Sequence, residues 1–159
     1  MNRLTVRHWI FLGLFLSIGI AMVSGIRMNT PVSSRTQNVF DFIESLPDRS
    51  VVIVSFDHEA SSLPEIRPIA QAFLRHAFEK NLRLVGIALL AEGTAIGYRL
   101  MQNTAAEYNR EYGVDYVYLG FKPQYIAAVL SMGESIPATF PQDYLGRPYS
   151  NISMLKEVN

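Results

Sequence analysis

The most uniform stretch of the chain comes first: from Trp9 to Ile26 (WIFLGLFLSIGIAMVSGI), 18 successive residues carry no charge. As a helix this run is about 27 Å long, enough to cross a bilayer core. Residues 1–8 flank it on one side with Arg3, Arg7 and His8, and Arg27 follows it on the other. The excess of positive charge at the N-terminal end favours a cytoplasmic N-terminus and an exported, extracytoplasmic remainder. A cleaved signal peptide is the competing expectation, since Val23 and Gly25 are small enough to precede a processing site. The run is longer than a usual signal core, which favours an uncleaved single-pass transmembrane helix.

Residues 27–38 (RMNTPVSSRTQN) are polar and read as a tether. Beyond them, 39–159 alternate between two periods. Asn38 can cap a helix over Val39 to Leu46, with Val39, Phe40, Ile43 and Leu46 on one face and Pro47 ending it. Val51 to Phe56 (VVIVSF) is short, apolar and β-branched, the pattern of a strand covered on both faces. Ser61, Ser62, Pro64 and Pro68 open a helix with Ile66, Ile69, Phe73 and Ala77 inward. Arg67, Gln71, Arg75 and Glu79 then face water, and Asn81 provides a left-handed stop.

The unit recurs. Leu82 to Leu90 (LRLVGIALL) predicts a second strand, and Thr94 can cap a helix to Tyr112 that buries Met101, Ala105, Tyr108 and Tyr112 before Gly113. Val114 to Leu119 (VDYVYL) predicts a third strand, followed by a shorter helix ending near Gly133. The remainder is loop-like, with a short helix expected from Asn151 to Val158. Strands alternating with helices predict an α/β fold with a parallel sheet, a Rossmann-like three-layer sandwich. Three evident strands are few, so the sheet is expected to be completed by a partner or by chain that this sequence lacks.

Composition narrows the function classes. Residues 27–159 carry 12 basic and 14 acidic side chains, a net −2 that offers no nucleic-acid footprint. With no cysteine, thiolate metal sites, thiol nucleophiles and disulfides are excluded. The segment Tyr112 to Pro123 (YGVDYVYLGFKP), with the first strand ending in Phe56 and Asp57, resembles an uncharacterised bacterial family of membrane-anchored Rossmann-like α/β proteins over residues 39–155. The family resemblance implies a fold and an address, and a longer protein with a second hydrophobic segment near its C-terminus, which this chain lacks. It implies no reaction.

Candidate chemistry lies in the loops at the carboxyl ends of the strands, where parallel sheets collect ligands. These loops hold Asp57, His58 and Glu59, then Glu92, Gly93 and Thr94, then Gly120, Lys122 and Gln124. Asp57, Glu59 and Glu92 are the candidate ligands for a divalent metal, with His58 as an imidazole donor; Thr94 and Lys122 are further ligand-binding candidates. The same acids also suit the start of a helix. FDHEASSLPE after the first strand has no glycine, which argues against a dinucleotide or P-loop site. Ser55, Ser61 or Ser62 could join His58 and Asp57 on paper, but no nucleophile elbow is present. His76, between Arg75 and Glu79, is expected to be solvated. The expected role is a membrane-tethered, non-catalytic interaction or scaffold domain that binds a protein partner or a further copy. The alternative is a metal-dependent hydrolase or small-ligand-binding domain.

Overall fold

A computed structural model describes residues 6–24 and 31–157. The chain divides into two compact units, Met1–Gln37 and Asn38–Asn159. In the first, helix α1 spans Val6–Val23, and no residue of it is buried. It is long and apolar enough to cross a membrane by length and composition. The expected end at Ile26 lies outside the described residues.

Helix α2 runs over Ser34–Ser45 and begins earlier than expected. Ser33 rather than Asn38 caps it: the Ser33 Oγ accepts the Thr36 N–H at 3.2 Å. The end of the expected tether is therefore already helical. Ile43 is buried as predicted, while Val39 and Phe40 stay exposed.

The sheet consists of β1 (Val51–Ser55), β2 (Arg83–Ala88) and β3 (Tyr116–Phe121), all parallel, in the order β1-β2-β3. Helix α3 (Leu63–Glu79) connects the first pair and α4 (Gly93–Glu107) the second. With both crossovers running the same way, right-handed connections put both helices on one face. There Leu74, Ala77 and Phe78 of α3 and Leu100, Met101 and Ala105 of α4 pack with Ile43 over Leu84, Tyr116 and Tyr118. Gly86 makes this closeness possible: a Cβ there would lie 2.4 Å from the Tyr118 ring and 2.7 Å from the Met101 sulfur.

The opposite face carries Val85, Ile87, Val117 and Leu119. Helices α5 (Tyr125–Glu134) and α6 (Ile136–Thr139) follow β3, and the chain ends in two 3-10 turns at Tyr149–Asn151 and Ser153–Glu157. Ile136, Phe140, Ile152, Met154 and Leu155 from this region cover that face. The three-stranded α/β layering is as expected. The strand order has no reversal, and so the described strands form no switch-point crevice of the kind that doubly wound sheets use for ligands.

Several local expectations are corrected. β1 is an edge strand, with Ile53 and Ser55 exposed rather than covered on both faces. On α3 the buried stripe is Leu74, Ala77 and Phe78, and Ile69 points outward. Helix α4 ends at Glu107, because Asn109 turns left-handed at φ 53° well before Tyr112. Its N-cap residue is Glu92, not Thr94. Asn81 does adopt the left-handed stop, at φ 57°.

Candidate functional site

The loop after β1 shows how polar residues at a strand end are used. Asp57 turns back toward the sheet: its Oδ1 accepts the Leu89 N–H at 2.6 Å, and its Oδ2 accepts the Ser55 hydroxyl at 2.5 Å. It thus ties the exit of β1 to the exit of β2. Glu92 works from the other side, its Oε2 accepting the Ala60 N–H at 2.9 Å. Both carboxylates satisfy backbone donors that the turn leaves open. Glu59 precedes the 3-10 turn Ala60–Ser62 without capping it through its side chain.

The three acids are therefore not assembled around one point. Among the described residues, no group of three or more His, Asp or Glu side chains is placed to hold a metal ion. Nor does a Ser-His-acid relay form: Ser55 donates to Asp57 directly, Ser62 donates to the Glu59 carbonyl, and the buried Nε2 of His58 has no hydrogen-bond partner among the described residues. His76 is not solvated as expected; its ring stacks on Phe40 at 4.5 Å, and its Nε2 lies 2.9 Å from Glu44 Oε1.

Glycine, not a ligand, explains the loop before α4. A Cβ on Gly93 would meet the Phe56 carbonyl oxygen at 1.8 Å, and one on Gly97 would meet the Phe56 ring at 2.6 Å. The first turns of α4 thus press directly on the end of β1.

Two of the predicted ligand-binding residues are brought to the same cleft. Thr94 and Lys122 line one cleft of about 430 Å³ beside the end of β3, together with Thr139, Asp143 and Tyr144. Lys122 Nζ donates to the Thr139 carbonyl at 2.6 Å and lies 5.8 Å from the Phe140 ring centroid. Gly120 sits at φ 91° beside a bulge between β2 and β3, with Tyr144 packed across it. Asp143 is buried, and its carboxylate accepts the Tyr112 hydroxyl at 2.9 Å and the Leu145 and Arg147 N–H groups at 2.9 and 2.8 Å. Burial, together with that Asp143 bond, holds the Tyr112 phenol well above the ordinary tyrosine range, and burial does the same for Tyr118. Both phenols are therefore neutral structural groups at physiological pH. Asp143 and Thr139 were missed from the sequence, where PQDY between prolines reads only as a turn.

The sheet edges differ from each other. β3 is sealed by its own chain: the Tyr116 carbonyl accepts Gly113 N–H at 2.7 Å, the Tyr118 carbonyl accepts Tyr144 N–H at 2.9 Å, and Tyr118 N–H donates to the Tyr112 hydroxyl at 3.4 Å. On β1, the Ser50 carbonyl and the Phe56 N–H bond to β2. The alternation of a parallel ladder then turns the backbone groups of Val51, Ile53 and Ser55 outward. Among the described residues this edge is open, and beside it runs a groove of about 300 Å³, lined by Val54 and Phe56 of the strand side and by Ile66, Ile69 and Phe73 of α3. Comparison with protein-family models, with characterised proteins and with solved structures finds no match for this chain.

Proposed function

We propose that this chain is a single-pass, membrane-tethered, non-catalytic interaction domain that engages a protein partner, or a second copy of itself, by adding a strand to the open edge of β1. The observation that carries the proposal is the contrast between the edges. Tyr116 and Tyr118 on the outer side of β3 are bonded from within the chain, whereas Val51, Ile53 and Ser55 present their backbone groups beside an apolar groove. Strand addition uses this combination: backbone hydrogen bonds give affinity, and an apolar wall selects alternate side chains. The three strands, with both crossover helices on one face, correspond to one half of a Rossmann-like sheet, so the same edge is where further strands would join. In this proposal α1 is the uncleaved anchor, and the charge balance around it favours an exported domain.

The test is Ile53→Lys in the full chain. The Ile53 side chain is exposed and its backbone groups face outward, so the fold is retained while an edge lysine blocks pairing. Association measured in detergent or lipid should weaken by about tenfold or more, equivalent to about 1.4 kcal/mol. Unchanged association, or substrate turnover by a monomer, contradicts the proposal.

A second reading, a small anionic ligand in the cleft beside β3, is favoured by Lys122 and Thr94 lining the same cleft. Titration with inorganic phosphate, before and after Lys122→Met, tests it. Loss of a measurable affinity in the variant supports the reading, and absence of binding to the native chain ends it.

A further inference from the structure

Helix α5 inverts the usual arrangement of a surface helix. Its sequence is YIAAVLSMGE, and among its residues only Ala128 is buried. Tyr125, Ile126, Val129 and Leu130 are 60, 62, 50 and 68% exposed, and Phe121, at the end of β3, is 39% exposed. At 100° per residue, Tyr125, Val129, Gly133, Ile126 and Leu130 occupy one continuous arc of about 140°, wide enough to be the buried face of an ordinary amphipathic helix. Here that face is turned to solvent. The helix carries no basic residue, and its one acidic residue, Glu134, lies at the end outside the arc.

We propose that this face of α5 inserts into the surface of the lipid bilayer that α1 spans. The inference rests on the reading of α1 as an uncleaved anchor. Two features select lipid as the occupant. Ten peptide units separate Ser24 from Ser34, at most about 35 Å of extended chain. A domain of this size has a radius of gyration of about 14 Å, so the headgroup layer is within its reach. The arc itself is aliphatic and uncharged, with Tyr125 at one margin. A fluid apolar phase accepts such a convex face without a matching groove, and a tyrosine ring suits the headgroup boundary. With no lysine or arginine on the helix, insertion depends on apolar contact and is the same on neutral as on anionic lipid.

The chain has no cysteine and a single tryptophan, Trp9, which makes the test clean. Full-length Leu130→Cys, labelled with an environment-sensitive fluorophore, is reconstituted into phosphatidylcholine vesicles carrying lipid-borne quenchers. Glu65→Cys on α3 serves as the control. The expected result is a blue shift and loss of most of the emission at position 130 at shallow depth, with Trp9 also quenched and position 65 unaffected. If Trp9 is quenched while position 130 reports water, α5 does not touch lipid and the inference is overturned. Shielding at position 130 that lipid quenchers do not reach, and that grows with protein density, assigns the face to a second copy and also overturns it. If Trp9 escapes quenching and the chain washes from the vesicles, the anchor reading has failed and takes the inference with it.

Discussion

Asp57, a residue singled out for its chemistry, has an architectural use in this fold. Its two oxygens close the exits of β1 and β2, through Leu89 N–H and Ser55 Oγ. Asp57→Ala should therefore lower stability by about 1–2 kcal/mol, because a backbone donor and a hydroxyl lose their acceptor. Chemical denaturation measures this directly. A ligand role instead predicts unchanged stability with loss of metal binding. Gly97 gives a sharper case: its missing Cβ leaves room for the Phe56 ring. Gly97→Ala should cost about 1–3 kcal/mol through overpacking, even though alanine is the better helix former. A stabilised Gly97→Ala variant would contradict the packing of α4 on β1.

Residue types identified the strand-end loops but not their bonds. A sequence does not show whether a carboxylate faces a cavity or folds back onto an amide, and Asp57 and Glu92 both fold back. Lys122 and Thr94 are legible as candidates because both lie in loops at the carboxyl ends of strands; that they line one cleft is visible only in the fold. Asp143 was not, because its environment is assembled by Tyr112, some thirty residues away.

At the scale of elements, α2 is held to α3 by polar contacts as well as by Ile43. Glu44 accepts from His76 at 2.9 Å and sits 3.2 Å from Lys80 Nζ. The His76 and Lys80 bonds lower the Glu44 carboxyl below its ordinary range. A depressed carboxylate stabilises above its unfolded pKa and loses that contribution as pH falls through the folded value. The α2 amides should therefore lose hydrogen-exchange protection as pH falls below the ordinary carboxylate range, before the α3 and α4 amides do. Glu44→Gln should remove this pH dependence; if protection still falls in the variant, another group controls it.

Element types and order were legible because apolar runs and helix spacing differ in period, and Asn81 acted as the stop its residue type suggests. Burial was less legible. VVIVS reads as a two-sided core strand, yet parallel order alone leaves β1 at the edge. Of the expected inner stripe Ile66, Ile69, Phe73 and Ala77, Ala77 is buried and Phe73 packs against the core, while Leu74 and Phe78 take its centre and Ile69 is left on the wall of a groove. Sequence periodicity gives the width of a face and not the object it meets.

Across the whole molecule, an apolar helix long enough to cross a bilayer accompanies a small α/β unit whose sheet has one covered and one open edge among the described residues. In the proposed function this contrast gives the unit a direction of assembly through β1. In the proposed function, anchoring through α1 strengthens such pairing by confining the partners to a surface.

The most direct measurement is cross-linking from the centre of that edge. The native chain has no thiol, so Ile53→Cys carrying a short photo-reactive group reports on one position only, in intact membranes. The expected result is a discrete adduct of higher mass, either with a partner protein or with a second copy, that Arg67→Cys on the solvent side of α3 does not form. Free solvent labelling at position 53 with no adduct would show that the β1 edge stands unpaired and would contradict the proposed function.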